Sequence, residues 1–127
     1  MNTKCFVVAA LALMAIGFLG QAAQAAPTAG ETVFRQRCAN CHSLTPGVSS
    51  VAPDLAGVIG RKAGTLKDYS YTPALRNADF VWTPEKLTEW LISPHNVVPE
   101  TEMTFPGLKS DKERAEVVEF LKQHRAK

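Results

Sequence analysis

Two cysteines and a histidine fall within five residues, Cys38-Ala39-Asn40-Cys41-His42. C-x-x-C-H is the attachment pattern for a c-type haem. The spacing has a chemical reason. Two thiols add across the two vinyl groups of one porphyrin, so they must span a fixed gap at the ring edge. The histidine beside them can then offer an imidazole nitrogen to the iron. Three other chemistries use parts of the same pattern. A thioredoxin-like dithiol also has C-x-x-C, but it belongs with a βαβ pattern that this chain lacks. A structural zinc needs four ligands. Cys38, Cys41 and His42 supply three, and the fourth would have to come from His95 or His124 with no supporting spacing. A disulfide between Cys38 and Cys41 would close a small, strained loop. The haem reading is the one carried forward.

The sixth position of such an iron has few candidates. Met103 lies in a proline-bounded loop, Val98-Pro99-Glu100-Thr101-Glu102-Met103-Thr104-Phe105-Pro106-Gly107. It sits between polar residues and off any helical core position, as a thioether ligand would. The alternative is a loop methionine that fills a packing gap. His95 and His124 read as surface histidines, and His124 suits a helix C-terminus electrostatically.

These residues need elements to hold them. Residues 1–25 differ from the rest: Lys4 is the only charge before Glu31, the chain is apolar from Cys5 to Gly20, and Ala23-Gln24-Ala25 has the form A-x-A. This is the layout of a cleaved secretory signal peptide and implies export to a bacterial periplasm. An uncleaved anchor is the other reading, but the apolar run falls short of the roughly 20 residues that cross a bilayer. Cleavage after Ala25 leaves one domain, 26–127. Its only cysteines are Cys38 and Cys41 and its only methionine is Met103. The whole chain has 127 residues, 46% hydrophobic and 20% charged, with a net charge of +2. That excludes a multidomain enzyme, a disordered or fibrous chain and a polytopic membrane protein. It also excludes a disulfide-dense scaffold and a strongly basic nucleic-acid binder.

Thr28-Ala29-Gly30-Glu31 is a capping box, and Val33, Phe34 and Arg37 follow at helical spacing, so a helix is expected over about 29–39. Residues 43–70 carry Pro46, Gly47, Pro53, Gly57, Gly60 and Gly64 and read as loops. Thr72-Pro73 opens a short helix to about 77. Thr83-Pro84 opens another, with Leu87, Trp90 and Leu91 on one face, that stops before Pro94. Residues 93–109 are expected to be irregular. Ser110-Asp111-Lys112-Glu113 is a second capping box, before a helix to about 124 whose apolar stripe is Val117, Val118, Phe120 and Leu121. No segment has a convincing strand period. The expected fold class is all-α, with about four helices and long loops. Such a chain has a thin core, which a large apolar group between the loops would fill.

In these motifs the chain resembles the class I monohaem cytochromes c, close to the mitochondrial and α-proteobacterial, cytochrome c2-like type. The likeness runs from about Gly30 to Leu121. It takes in Gly30 and Phe34, C-A-N-C-H, Ala52-Pro53-Asp54-Leu55, Gly57-Val58-Ile59-Gly60-Arg61-Lys62-Ala63-Gly64 and Tyr69-Ser70-Tyr71-Thr72. Trp82, Thr101-Glu102-Met103, Phe105 and Phe120-Leu121-Lys122 continue it. The resemblance implies one covalent haem c on Cys38 and Cys41, with His42 and Met103 as axial ligands. It implies that the Pro53 carbonyl accepts the His42 Nδ1–H, that Arg61, Tyr71 and Trp82 contact a propionate, and that Thr101 holds the Met103 loop. Gly30 and Phe34 should meet Phe120 where the terminal helices cross. The chain departs from the pattern at Trp90, where a tyrosine commonly stands near the sulfur, and at Leu75, where an asparagine is usual. Glu100 and Glu102 replace the usual Gly and Lys and weaken the ring of lysines at the haem edge.

The function this implies is one-electron carriage without catalysis, by a soluble periplasmic monomer that docks transiently on larger redox proteins at its exposed haem edge. Neither nucleic acid nor stable membrane insertion of the mature chain is expected. Lys62, Lys67, Lys86 and Lys109 are the first residues to test for steering. Two other readings remain: a permanent subunit of a periplasmic dehydrogenase or sulfur-oxidising complex, and a haem enzyme or gas sensor with an open sixth position.

Overall fold

Thr28 accepts the Glu31 backbone N–H at 3.1 Å. This hydroxyl cap starts α1, Ala29–Arg37, the first of five helices among the residues that the computed structural model describes, 25–48 and 51–125. The others are α2, Pro73–Arg76; α3, Pro84–Ile92; α4, Pro94–Val97; and α5, Asp111–Gln123. The expected signal peptide lies, apart from Ala25, outside the described residues. Thr72, Thr83 and Ser110 cap α2, α3 and α5 in the same way, on the N–H groups of Leu75, Lys86 and Glu113. Each cap satisfies a donor that the first helical turn leaves free.

The fold is all-α, with one helix more than expected. Residues 94–97 form α4 where an irregular segment was expected. Ser93-Pro94 repeats the signal of Thr72-Pro73 and Thr83-Pro84, because proline is pre-set for a first helical position. Here the same proline also ends α3, since its ring cannot continue that helix. Ser93 is therefore C-cap to one helix and N-cap to the next. No strand is present among the described residues, but 60–63 and 80–82 pair locally, with an isolated antiparallel bridge between Lys62 and Val81. Trp82 N–H donates to Arg61 O at 2.9 Å, Gly60 N–H to Trp82 O at 2.9 Å and Ala63 N–H to Phe80 O at 3.0 Å.

The core forms where α1 crosses α5. A Cβ at Gly30 would lie 2.1 Å from the Glu116 carbonyl oxygen and 2.7 Å from Phe120 Cβ, so the two backbones approach as only glycine permits. One turn along α1, the rings of Phe34 and Phe120 meet at 5.7 Å. α3 adds Leu87, Trp90 and Leu91 against α5, whose Val117, Val118 and Leu121 are buried. The segment after α4 is tied at both ends. Val98 N–H donates to Pro94 O at 3.0 Å, and Leu108 N–H to Leu91 O at 2.7 Å. Buried Arg114 adds donors to the Leu108 carbonyl and to the Asp111 carboxylate. Gly107, at φ +87°, makes the turn that returns the chain to α3, where a Cβ would lie 2.0 Å from Ile92 O.

Along the edge of this core lie Cys38, Leu55, Ile59, Leu75, Phe80, Met103 and Phe105, all only partly buried. They come from different loops, from the end of α1 and, with Leu75, from α2, and they form an apolar margin that the helices alone do not cover.

Candidate functional site

α1 winds directly into the C-x-x-C-H segment. The N–H groups of Cys38 and Ala39 both donate to Phe34 O, at 2.8 and 3.0 Å. Those of Cys41 and His42 both donate to Cys38 O, at 3.1 and 2.9 Å. This tight turn presents Cys38 half-buried, Cys41 exposed and His42 half-buried, and both cysteines are free. Burial, and after it the charge of Cys41, push the Cys38 thiol up to about 11 and keep it protonated at neutral pH.

His42 Nδ1–H donates to the Pro53 carbonyl at 2.7 Å. A carbonyl can only accept, so this bond fixes the tautomer and leaves the Nε2 lone pair free. Burial lowers the His42 pKa below its ordinary value; the Pro53 carbonyl opposes this and the charge of Arg61 reinforces it. The ring is thus a neutral imidazole at pH 7, the form that binds a metal, with an orienting carbonyl behind it.

Arg61 lies close enough to His42 and Tyr71 for its charge to act on both. Arg61 Nη2 donates to Asp54 O at 2.8 Å and Nη1 to Ala56 O at 3.5 Å. Burial raises the Tyr71 pKa, and the neighbouring Arg61 charge and a hydrogen bond with the Leu66 backbone act against it. Trp82 is joined to Arg61 through the backbone pairing described above. Its ring packs edge-on against Phe80 at 4.8 Å and Trp90 at 5.1 Å.

The Met103 loop alternates in exposure. Glu100, Glu102 and Thr104 are exposed, while Thr101 is buried and Met103 and Phe105 are half-buried. Thr101 Oγ1 accepts the Met103 backbone N–H at 3.3 Å. Met103 itself packs against the core cluster. The other two histidines are placed elsewhere. His95 is exposed, with Nδ1 donating to Pro99 O at 3.2 Å. His124 Nδ1 donates to Phe120 O at 2.8 Å and its ring packs against Phe120, tilted by 48°, at 4.1 Å. Among the described residues no group of three or more His, Cys, Asp and Glu side chains is arranged to hold a metal ion by itself, so the zinc reading has no geometry behind it.

In the sequence Asp54 stands out only as part of the motif Ala52-Pro53-Asp54-Leu55. In the structure it is 1% exposed and linked to Gly47, Ala56 and Arg61. Its one sequence signal is isolation, as the only carboxylate between Glu31 and Asp68.

These residues fit a covalent haem: adjacent free thiols, a neutral imidazole with Nε2 free, a half-buried thioether and an uncovered apolar margin. The comparisons with known proteins agree. The Cytochrome c family profile matches residues 27–125. A cytochrome c of Ginkgo biloba is 40% identical over 98 residues, covering 76% of this chain and 87% of that protein. Cytochrome c 2.1 of Caenorhabditis elegans is 40% identical over 98 residues, 77% of this chain and 88% of its own length. The cytochrome c of Euglena viridis is 41% identical over 93 residues, 73% of this chain and 91% of its own.

Proposed function

The chain belongs to the cytochrome c family, and from that premise we propose a periplasmic one-electron shuttle whose haem is ligated by His42 and Met103. Electron carriage with one covalent haem c follows from membership of the family. When bound, haem c supplies the redox chemistry, ferric iron taking up one electron to become ferrous.

This chain's residues do the rest. Cys38 and Cys41 hold the group covalently from the turn after α1. His42 offers Nε2 because Pro53 holds Nδ1–H, and this bond is the single observation that carries the reading. Met103 offers its sulfur from a loop anchored at Thr101 and Leu108. A thioether ligand and an apolar surround both favour the ferrous state and raise the potential. With His42 and Met103 both holding the iron, no site would stay open for a substrate. Arg61, Tyr71 and Trp82 take the propionate side. The three-part leader of residues 1–25 supports export to the periplasm, and no helix among the described residues is long and apolar enough to cross a membrane. Docking is small and transient at the haem edge beside Cys38 and Cys41.

The test is the protein matured in a bacterial host with a c-type haem assembly system. The expected product is red and monomeric by gel filtration. Its haem should withstand acid-acetone extraction, its ferric spectrum should show the far-red sulfur-to-iron band, and the ferrous form should bind CO slowly. A missing band with rapid CO binding defeats the shuttle in favour of an enzyme or sensor. Co-purification in a stable large complex from the native host defeats it in favour of a permanent subunit.

A further inference from the structure

The buried carboxylate of Asp54 has no part in the reading above, which it nevertheless underlies. Its Oδ2 accepts the Gly47 N–H at 3.0 Å and its Oδ1 accepts the Ala56 N–H at 3.2 Å. Oδ1 also faces Arg61 Nη1 at 3.7 Å. Arg61 returns two donors to the same stretch of chain, on the carbonyls of Asp54 and Ala56. On one side of Asp54 stands Pro53, whose carbonyl orients His42. On the other side, Leu55 N–H donates to the carbonyl of Ser43, the residue after His42, at 2.8 Å. The loop that holds the imidazole is therefore pinned about this one side chain.

Pinning alone does not need a charge. A hydroxyl or amide oxygen can also accept a backbone N–H, whereas burying an ionised carboxylate costs several kcal/mol unless it is paired. The charge has a counterpart in Arg61, whose Nη1 stands 3.7 Å from Oδ1 and whose Nη2 donates to the Asp54 carbonyl, one residue from the Pro53 carbonyl that holds His42. A cation at that place disfavours the ferric state, which carries the extra positive charge. An anion beside the cation cancels part of that effect.

We propose that Asp54 is a positioning residue that holds the Pro53 carbonyl on His42 and, as counter-ion to Arg61, sets the midpoint potential below the value that Arg61 alone would impose. This rests on the reading of His42 as an axial haem ligand.

The experiment uses holoprotein carrying Asp54→Asn, Arg61→Gln, or both, with the midpoint potential read by spectroelectrochemical titration and the His42 Nδ1–H followed by NMR in the ferrous form. Asp54→Asn raises the potential and weakens or shifts the Nδ1–H signal. Arg61→Gln lowers the potential, and the double variant returns towards wild type. An unmoved potential in Asp54→Asn, or a double variant that stays where Arg61→Gln sits, overturns the proposal. If Asp54→Asn yields no holoprotein, the comparison of Arg61→Gln with the double variant decides. Amide exchange on the wild type needs no substitution: Gly47 and Ala56 should be protected, and rapid exchange at both overturns the proposal. Failure of the underlying reading looks different, as wild-type protein without covalent haem.

Discussion

Thr101→Val isolates one hydrogen bond that keeps the Met103 loop closed. Thr101 is 6% exposed, so valine meets a nearly filled space and adds no bulk. It removes Oγ1, which accepts the Met103 N–H at 3.3 Å. Leaving a buried donor without a partner costs about 1–3 kcal/mol. The length of this bond, and the independent Leu108–Leu91 anchor at 2.7 Å, place the cost at the low end, near 1 kcal/mol. In the open loop the same N–H meets water and loses nothing, so the whole cost falls on the closed state. The open population then grows by about fivefold. Under the proposed ligation, imidazole reports this population, because it would reach the iron only after Met103 leaves, and its apparent affinity scales with the binding-competent fraction. Titrating ferric holoprotein with imidazole should give an apparent Kd about fivefold lower in the variant. Thr101→Ser keeps an acceptor and should restore most of the wild-type value. An affinity within about twofold of wild type, or a serine variant as perturbed as valine, refutes the assigned bond.

Met103→Ala should lower the midpoint potential and open the iron to CO and peroxide; an unchanged potential removes Met103 from the ligand set. Gly30→Ala gains helix propensity, but its Cβ meets the Glu116 carbonyl oxygen at 2.1 Å. The crossing of α1 and α5 must therefore widen, at a cost of about 1–3 kcal/mol. This should lower the Tm by roughly 5–15 °C, and a Tm at or above wild type would show that the helices do not cross at that residue. Lys62 and Lys86 are already paired, with Asp79 at 3.1 Å and Glu89 at 2.6 Å. Replacing Lys67 or Lys109 by glutamine should therefore slow low-salt electron transfer more than the same change at Lys62 or Lys86, and the difference should vanish at high salt. Equal rates at low salt sink the steering role.

Helix starts were legible because they are local. Thr28, Thr72, Thr83 and Ser110 each accept an N–H only three residues away, and such pairs are visible in a short window of sequence. α4 is not legible because Ser93-Pro94 carries two meanings, a stop for α3 and a start for the next helix, and only the fold shows that both apply. The motif 38–42 gave the site its chemistry directly. The bond from His42 to Pro53 spans 11 residues and came into view only through the resemblance to a family. Asp54 is not legible in the sequence because its importance lies in burial and in Arg61, and neither is a local property. A lone acid in a glycine-rich loop ordinarily points to solvent. Only the fold shows that this one is enclosed.

The alternating exposure of residues 100–105 has a consequence for how such a protein can diversify. Glu100 and Glu102 face solvent while Thr101 and Met103 face inward. Mutation can repaint the outer stripe, changing which macromolecules recognise this molecule, while leaving the inner stripe untouched. Deleting or inserting one residue within the stripe shifts its register and would disturb both at once. Drift in such a lineage should therefore proceed by replacement at the outer positions, with the length of the segment held constant.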